Sequence, residues 1–401
     1  MDATDRYSRL TRVSSGTPMG GYMRYFWHPV AASAQLADDP LRVRILGENL
    51  ILFRTKERGL GLVSERCPHR GASLACGMIE HGGIRCSYHG WKFSASGNCI
   101  ETPAERPESQ LKKRVKLSAY PVQELGGLIW AYLGNAPAPL LPRYEFLVKE
   151  GCDRDVGITI LPCNWLQVAE NNMDPIHVEY LHFAYTNYLR ERQGKPPVPV
   201  RSHKKIDFEV FEHGIIKRRM WEGDSEDSPE WRIGHPQIWP GTVVISQPND
   251  WVQAQIRVPI DDTNTAIYWY NARERGDGQP PQSEVPVWQN PVKDEHGNFN
   301  VDTLNGQDLM IMLTQGEISD RQLENLGESD RGVVLYRRVL LDQLDKIERG
   351  EEPLGVVRDP AKNTPYIALP IDRQLGYDFG DVKASPHDFW NMSVSEKTAA
   401  K

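Results

Sequence analysis

Two short pairs of metal-binding side chains stand out in the sequence. Cys67 and His69 form C-x-H in "CPHRG", and Cys86 and His89 form C-x2-H in "CSYHGW", with sixteen residues between His69 and Cys86. Two thiolates and two imidazoles could hold a tetrahedral zinc, although zinc spacings commonly pair Cys with Cys and His with His. Here each arm mixes one Cys with one His. That suits a centre of two unlike irons, in which one iron takes both thiolates and the other both imidazoles. A Rieske [2Fe–2S] cluster is ligated in this way, and its neutral imidazoles raise its potential above that of an all-Cys cluster. Zinc remains the bland alternative, and it predicts a colourless protein.

The second group lies downstream. "DPIHVEYLH" supplies Asp174, His177 and His182 as D-x2-H-x4-H. Residues five apart on a regular α-helix differ by about 140° in direction, so two ligating imidazoles at this spacing need a helix that ends or bulges between them. Pro175 shows that the backbone here is not a plain helix interior. Two imidazoles and a carboxylate on one face of ferrous iron leave positions open for O₂ and substrate. A one-electron cluster upstream also needs an acceptor. Asp174 has two compatible roles: it can hold the free N–H of a ligating His, or it can cap the helix before Pro175.

Both groups must be positioned by the surrounding elements. "RVRILGENLILFR" (42–54) reads as a hairpin turning at Gly47-Glu48-Asn49, and "VKLSAYPVQELGGLIWAYLG" (115–134) as another turning at Gly126-Gly127. Both Cys/His pairs lie between these hairpins, each beside glycines that free the backbone to turn tightly. "GNAPAPLLPR" (134–143) reads as a linker, since proline cannot continue a strand ladder. Beyond it, "NWLQVAENNMDPIHVEYLH" (164–182) is helix-compatible. "KIDFEVFEHGIIKRRMW" (205–221) and "WVQAQIRVPIDDTNTAIYWYNAR" (251–273) read as hairpins. Residues 329–353 carry a helix, with Ser329 as its N-cap and Gly350 and Pro353 marking its end. The order suggests an α+β fold. We expect an N-terminal segment (1–40), a cluster-binding β-domain (41–135) and a second domain with an antiparallel sheet wrapped on a helix (136–401).

Composition narrows the function classes. The chain has 401 residues with 39% hydrophobic and 25% charged, which fits an ordinary globular protein of two or three domains. A net charge of −7 argues against a nucleic-acid or anionic-membrane binder. No apolar run approaches a membrane span, and the N-terminus shows no secretory h-region, so a cytoplasmic location is expected. Cys76, Cys99, Cys152 and Cys163 then read as reduced thiols.

At these motifs the chain resembles the ring-hydroxylating Rieske non-heme iron oxygenases. "CPHRG…CSYHGW" is similar to their cluster motif. "NWLQVAENNMDPIHVEYLH" resembles their catalytic stretch, N-W-x4-E-N-x2-D-x2-H-x4-H. Respiratory Rieske proteins carry an extra disulfide, and the corresponding positions here are near Gly71 and at Ser87, so it cannot form. The likeness extends to "GTPMGGYMRYFWHPV" (16–30), "VPIDDTNT" (258–265) and "QGEISDRQLENLGESDRGV" (315–333), within the phthalate-dioxygenase-like branch that includes aryl O-demethylases.

The resemblance implies a Rieske β-domain followed by a helix-grip catalytic domain. It implies that Cys67, His69, Cys86 and His89 hold the cluster and that His177 and His182 hold a mononuclear Fe(II). The third ligand is an Asp downstream; "NGQDLMIMLTQG" (305–316) selects Asp308, with Asp302, Glu317 and Asp320 as fallbacks. Asp174 would bridge to a cluster-ligating His of a neighbouring subunit in a head-to-tail trimer. Electrons would come from NAD(P)H through a separate reductase, with or without a ferredoxin, since no dinucleotide-binding motif appears in the chain. The substrate implied is aromatic and carboxylated, oxidised by hydroxylation or O-demethylation; a methyl ether oxidised at carbon collapses to phenol and formaldehyde. Residues 184–205 read as a flap whose Arg190, Arg192, Arg201, Lys204 and Lys205 could pair with a substrate carboxylate or simply be solvated. A reading from a different class, an electron-transfer or ligand-binding protein, predicts no mononuclear iron and no oxygen consumption.

Overall fold

The computed structural model describes residues 3–247, 251–372 and 381–384. The first half of the chain forms three small antiparallel sheets. Strands β1 (Trp27–Ala32), β9 (Val122–Leu125) and β10 (Leu128–Tyr132) pair in the order β1-β10-β9. Strands β2 (Leu41–Ile45), β3 (Glu48–Arg54) and β4 (Leu60–Ser64) form a meander. Four short strands, β5 (Met78–Glu80), β6 (Gly83–Arg85), β7 (Lys92–Phe93) and β8 (Cys99–Glu101), make the third sheet. Both expected hairpins are present, although the first turns at Leu46-Gly47 rather than Gly47-Glu48-Asn49, since Glu48 and Asn49 already pair in β3. The β9–β10 turn has Gly126 at φ +65° and Gly127 at φ +79°, the left-handed pair that a two-residue hairpin turn needs. Strand β1, which lies upstream of residue 41, hydrogen-bonds to β10 from Trp27↔Tyr132 to Ala32↔Leu128.

The cluster region has its own core. Ile51, Phe53, Val63, Leu74, Ile84, Trp91, Phe93 and Leu117 pack around the two buried cysteines, Cys67 and Cys86. Each large apolar side chain fully buried there contributes about 1.5–3 kcal/mol.

The second half is built on one eight-stranded sheet. Its order is β12 (His203–Phe211), β13 (Gly214–Trp221), β14 (His235–Ile238), β15 (Thr242–Gln247), β16 (Trp251–Pro259), β17 (Thr265–Glu274), β11 (Cys152–Leu161) and β18 (Val287–Gln289). Every pairing is antiparallel except β11 with β18. Ile256, Val258, Ala266, Tyr268 and Tyr270 belong to the large core shared with the N-terminal residues and the first sheet. The opposite face meets the helices Trp165–Asn172 and Leu304–Thr314 through Ile267, Trp269, Val168, Leu309 and Met312. The α+β architecture expected from the sequence is therefore present.

The helix Arg331–Glu348 begins after a 3₁₀ turn, Glu328–Asp330, so Asp330 rather than Ser329 occupies its cap position. Asp330 Oδ2 accepts from the Gly327 amide at 2.6 Å, which commits that side chain to the preceding turn. Arg9, on the helix Ala3–Thr11, bonds Asp345 at 2.9 Å and Glu348 at 2.7 Å, holding the N-terminal helix against this long one. No described helix is long and apolar enough to cross a membrane.

Candidate metal centres

The two Cys/His loops have the same hydrogen-bonding pattern. The Cys67 amide donates to Ala72 O at 2.8 Å and Gly71 N donates to Cys67 O at 2.8 Å. In the second loop the Cys86 amide donates to Trp91 O at 2.8 Å and Gly90 N donates to Cys86 O at 3.0 Å. Gly71 and Gly90 adopt φ +76° and +73°, a conformation that strains any residue with a Cβ, so both loops need glycine at this point. The loops bring four side chains to one place. Cys67 and Cys86 are each 2% exposed, while the His69 and His89 rings lie 4.5 Å apart nearer the surface. Trp91 stacks on His69 at 4.4 Å with a 5° interplanar angle. Burial, together with the hydrogen bond and charge of Cys86, pushes the Cys67 thiol up to about 11, so a bound cation is what would make Cys67 a thiolate. Two buried thiols facing two outer imidazoles fit a cluster with unlike irons. All six cysteines are free, including Cys76, Cys99, Cys152 and Cys163.

The second centre depends on an irregular helix. Asn164 caps the helix Trp165–Asn172 through Oδ1, and its amide nitrogen ties to Thr11 O and Asp262 O at 2.9 and 2.7 Å. That helix stops at Met173, ahead of Pro175. The chain then resumes as a π-helix over Val178–Tyr185. In a π-helix the backbone bond runs from i to i+5, so His177 and His182 come to the same side rather than 140° apart. Their rings lie 5.2 Å apart.

Asp308, on the helix Leu304–Thr314, completes the group. Its Oδ1 lies 3.6 Å from His177 Nε2 and 3.3 Å from His182 Nε2, and one ligand atom from each of the three residues falls within 4.8 Å of the others. Asn171 Nδ2 donates to Asp308 Oδ1 at 3.3 Å. Burial alone would raise the Asp308 carboxyl, but His182, His177 and Asn171 outweigh it and hold it below its ordinary value. Burial lowers His177 to about 3, which keeps that imidazole neutral. Two imidazole nitrogens and one carboxylate oxygen converging in a buried site fit a mononuclear ferrous ion with open positions. The fallback acids sit elsewhere: Asp302 accepts from Gln193 Nε2 at 3.1 Å, Asp320 caps the Gln322 amide at 3.1 Å, and Glu317 is exposed.

Asp174 lies beside this group, and its side chain fills one of its two expected roles, the cap, while the bond to the imidazole N–H falls to its backbone. Its carboxylate Oδ1 caps the Ile176 amide at 2.9 Å, and its backbone carbonyl, not its carboxylate, accepts from His177 Nδ1. Burial raises its pKa.

The sheet face turned toward these helices also carries buried polar side chains. Lys217 pairs with His235 across β13 and β14, and Ile215 with Gln237. Gln253 and Gln255 pair with Asn271 and Trp269 across β16 and β17. Lys217 is 4% exposed and donates to Asn172 O at 2.6 Å and Asn172 Oδ1 at 3.2 Å. Arg257 is 2% exposed and donates to Gln255 Oε1 at 2.9 Å, leaving Nε without a partner. Among the described residues neither cation makes an ion pair with a carboxylate. Arg219 does so, with Glu230 at 3.0 Å.

The flap cations, by contrast, are engaged with their surroundings. Arg190 pairs with Asp381, Arg201 with Asp224 at 3.0 Å, and Lys205 with Glu226 at 3.3 Å. Arg192 donates to Tyr188 Oη at 2.7 Å, and Lys204 is exposed. Arg190, Arg201 and Lys205 are thus held by local ion pairs. The inner-face cations lie on buried strands rather than in the charged loop, so loop composition does not point to them. In "GIIKRRMW" Lys217 and Arg219 alternate onto the face of Ile215 and Trp221, but the alternation alone does not say that this face is buried.

Comparison with known proteins agrees with this architecture. Residues 26–121 match the family model described as Rieske [2Fe-2S] domain, and residues 281–369 match one described as LigXa C-terminal domain like. The chain is 42% identical to a 5,5'-dehydrodivanillate O-demethylase oxygenase subunit of Sphingobium sp. (strain NBRC 103272 / SYK-6), over 92% of this chain and 86% of that protein. It is 31% identical to the phthalate 4,5-dioxygenase oxygenase subunit of Pseudomonas putida, over 86% and 87%. Among solved structures, the oxygenase and ferredoxin complex of carbazole 1,9a-dioxygenase superposes with a TM-score of 0.62 at 20% identity, covering 90% of this chain and 94% of that one.

The chain belongs to the Rieske non-heme iron oxygenases, as an oxygenase subunit. It is accordingly an oxidoreductase whose cofactors are a Rieske [2Fe–2S] cluster and a mononuclear non-heme iron, and it depends on a separate component for electrons.

Proposed function

We propose that this oxygenase subunit acts on an aromatic carboxylate bound against the buried polar side chains on the inner face of the large sheet, by O-demethylation of an aryl methyl ether or by ring hydroxylation. The observation that carries the substrate class is Lys217. It is a buried amine without a carboxylate partner among the described residues, bonded to Asn172, and burial holds its pKa well below the ordinary lysine value, so it carries a full charge only when an anion completes the site. Burying a cation costs several kcal/mol unless an anion completes the site. Arg257 adds a second donor. The similar proteins are named for dehydrodivanillate and phthalate, both aromatic carboxylates.

In this reading His177, His182 and Asp308 hold the iron, and Cys67, His69, Cys86 and His89 hold the cluster. Together the two groups supply stepwise one-electron delivery and reduction of O₂. The remaining residues bind and orient. Lys217 fixes the anionic end of the substrate, and Asn171 holds the Asp308 oxygen that faces both imidazoles. The Asp174 carbonyl fixes the His177 ring, and its carboxylate serves contact with a neighbouring subunit in a head-to-tail trimer. A reductase drawing on NAD(P)H, with or without a ferredoxin, supplies the electrons. The division into segments 1–40, 41–135 and 136–401 is retained as part of this proposal.

The test is oxygen uptake with NAD(P)H and a surrogate reductase across aromatic acids, their methyl ethers and the corresponding neutral methyl esters. The expected result is uptake with acids, accompanied by formaldehyde when a methyl ether is consumed. Uptake driven equally by the esters would contradict the substrate class.

A further inference from the structure

Gln307 precedes Asp308 on the helix Leu304–Thr314 and is 1% exposed. Its Nε2 donates to Val301 O at 3.0 Å and to Thr186 Oγ1 at 2.8 Å, and its Oε1 faces His182 Nδ1 at 3.0 Å. A backbone carbonyl can only accept, so the amide nitrogen must lie on the Val301 side and the amide oxygen on the histidine side. An amide oxygen also only accepts. His182 Nδ1 therefore carries a proton, which leaves Nε2, 3.3 Å from Asp308 Oδ1, as the ring nitrogen on the side where a metal would bind. At His177 the Asp174 backbone carbonyl does the same, and no side-chain substitution removes it. At His182 the acceptor is a side chain, so the arrangement is open to mutation.

We propose that Gln307 is a positioning residue for the mononuclear iron. It fixes the His182 imidazole in the tautomer and orientation that offer Nε2 to the metal. This rests on the reading of His177, His182 and Asp308 as ligands. A purely architectural role would make Gln307 only a tether from its helix to Thr186 and Val301.

Two variants separate these roles. Gln307→Leu is close in volume and withdraws the acceptor, leaving a buried N–H unsatisfied. Gln307→Glu keeps an oxygen toward Nδ1 but loses the N–H donated to Val301. The measurement is Fe(II) affinity by anaerobic competition with a chromogenic chelator on protein already carrying its cluster. Gln307→Leu is expected to bind iron about 10–100-fold more weakly, the usual effect of removing a partner of a ligating histidine. Gln307→Glu should stay within about threefold of wild type by the same reasoning, and the cluster's visible absorption should be unchanged in both. The proposal is overturned if Gln307→Leu binds iron like wild type, or if both variants lose affinity equally, because that loss follows the tether rather than the acceptor. Should Gln307→Leu fail to fold, Gln307→Asn withdraws the acceptor by one methylene and is read by the same two outcomes. His182→Ala serves as the control: if it binds iron like wild type, the ligand reading itself has failed.

Discussion

Glu170 sits one residue before Asn171 on the helix that leads into the iron site, and it is the anion of a buried ionic cluster. Its carboxylate accepts from Arg321 Nη2 at 2.9 Å and Arg337 Nε at 2.5 Å. Arg337 reaches on to both Glu324 oxygens, at 2.5 and 2.9 Å. Glu170 is 7% exposed, Arg321 4% and Arg337 6%, so the change Glu170→Gln leaves a buried guanidinium, Arg321, without a carboxylate. Removing one partner of a buried pair costs about 3–5 kcal/mol. The amide still accepts one hydrogen bond, so the lower end, about 3 kcal/mol, is expected. At about 2–4 °C per kcal/mol for a domain of this size, Tm should fall by about 6–12 °C.

The pH dependence has a definite sign. Burial raises the Glu170 pKa, but Arg321 and Arg337 outweigh it, and the folded value lies below the ordinary carboxylate value. A depressed folded pKa contributes stability that is present above the unfolded value of about 4.3 and is lost as pH falls through the folded one. Wild type and Glu170→Gln should therefore differ fully at neutral pH and converge below about pH 4. Thermal unfolding at a fixed scan rate, followed by far-UV circular dichroism with cluster absorption as a second probe, measures both effects. A fall of less than about 2 °C at neutral pH, or a gap that widens in acid, would refute this account of the cluster.

Asp174→Asn should retain both metals, because the backbone carbonyl still holds His177 and the amide oxygen still caps Ile176, while product formation under multiple turnover is lost; metal analysis beside product assay checks this, and loss of iron would assign the residue a structural role. Lys217→Met should raise the KM for a carboxylate substrate by roughly 10–100-fold, the worth of a charge-assisted hydrogen bond, with little change for the corresponding neutral ester. Steady-state oxygen uptake measures it, and an equal change for acid and ester would count against the anion-binding role.

The metal-binding residue types and their neighbourhoods were legible in the sequence because ligation imposes unusual spacing. Mixed Cys/His arms with flanking glycines pointed to the cluster loops, and the structure shows the reason: Gly71 and Gly90 occupy left-handed positions that close two matching turns. The x4 gap between His177 and His182 implied a break in regular helix, and the chain answers it with a π-helical segment rather than a simple end. Asp308 was chosen by likeness, since local pattern alone does not distinguish it from Asp302 or Asp320. Only the placement of its helix beside the two imidazoles does so. Lys217 and Gln307 were not legible. A lysine within a strand and a glutamine within a helix carry no sign of burial until register and packing are known. Ser329 was one residue from the actual cap because the helix starts through a 3₁₀ turn, where local geometry rather than residue preference sets the boundary.

Iron content of the anaerobically reconstituted protein, measured for wild type and for Asp308→Ala beside the visible spectrum of the cluster, bears most directly on the pairing of two metal centres in one chain. The expected result is about three irons per chain in wild type, two in the cluster and one between the imidazoles, falling to about two in Asp308→Ala with the cluster spectrum intact. Equal iron in both proteins, with oxygen uptake undiminished in the variant, would contradict it.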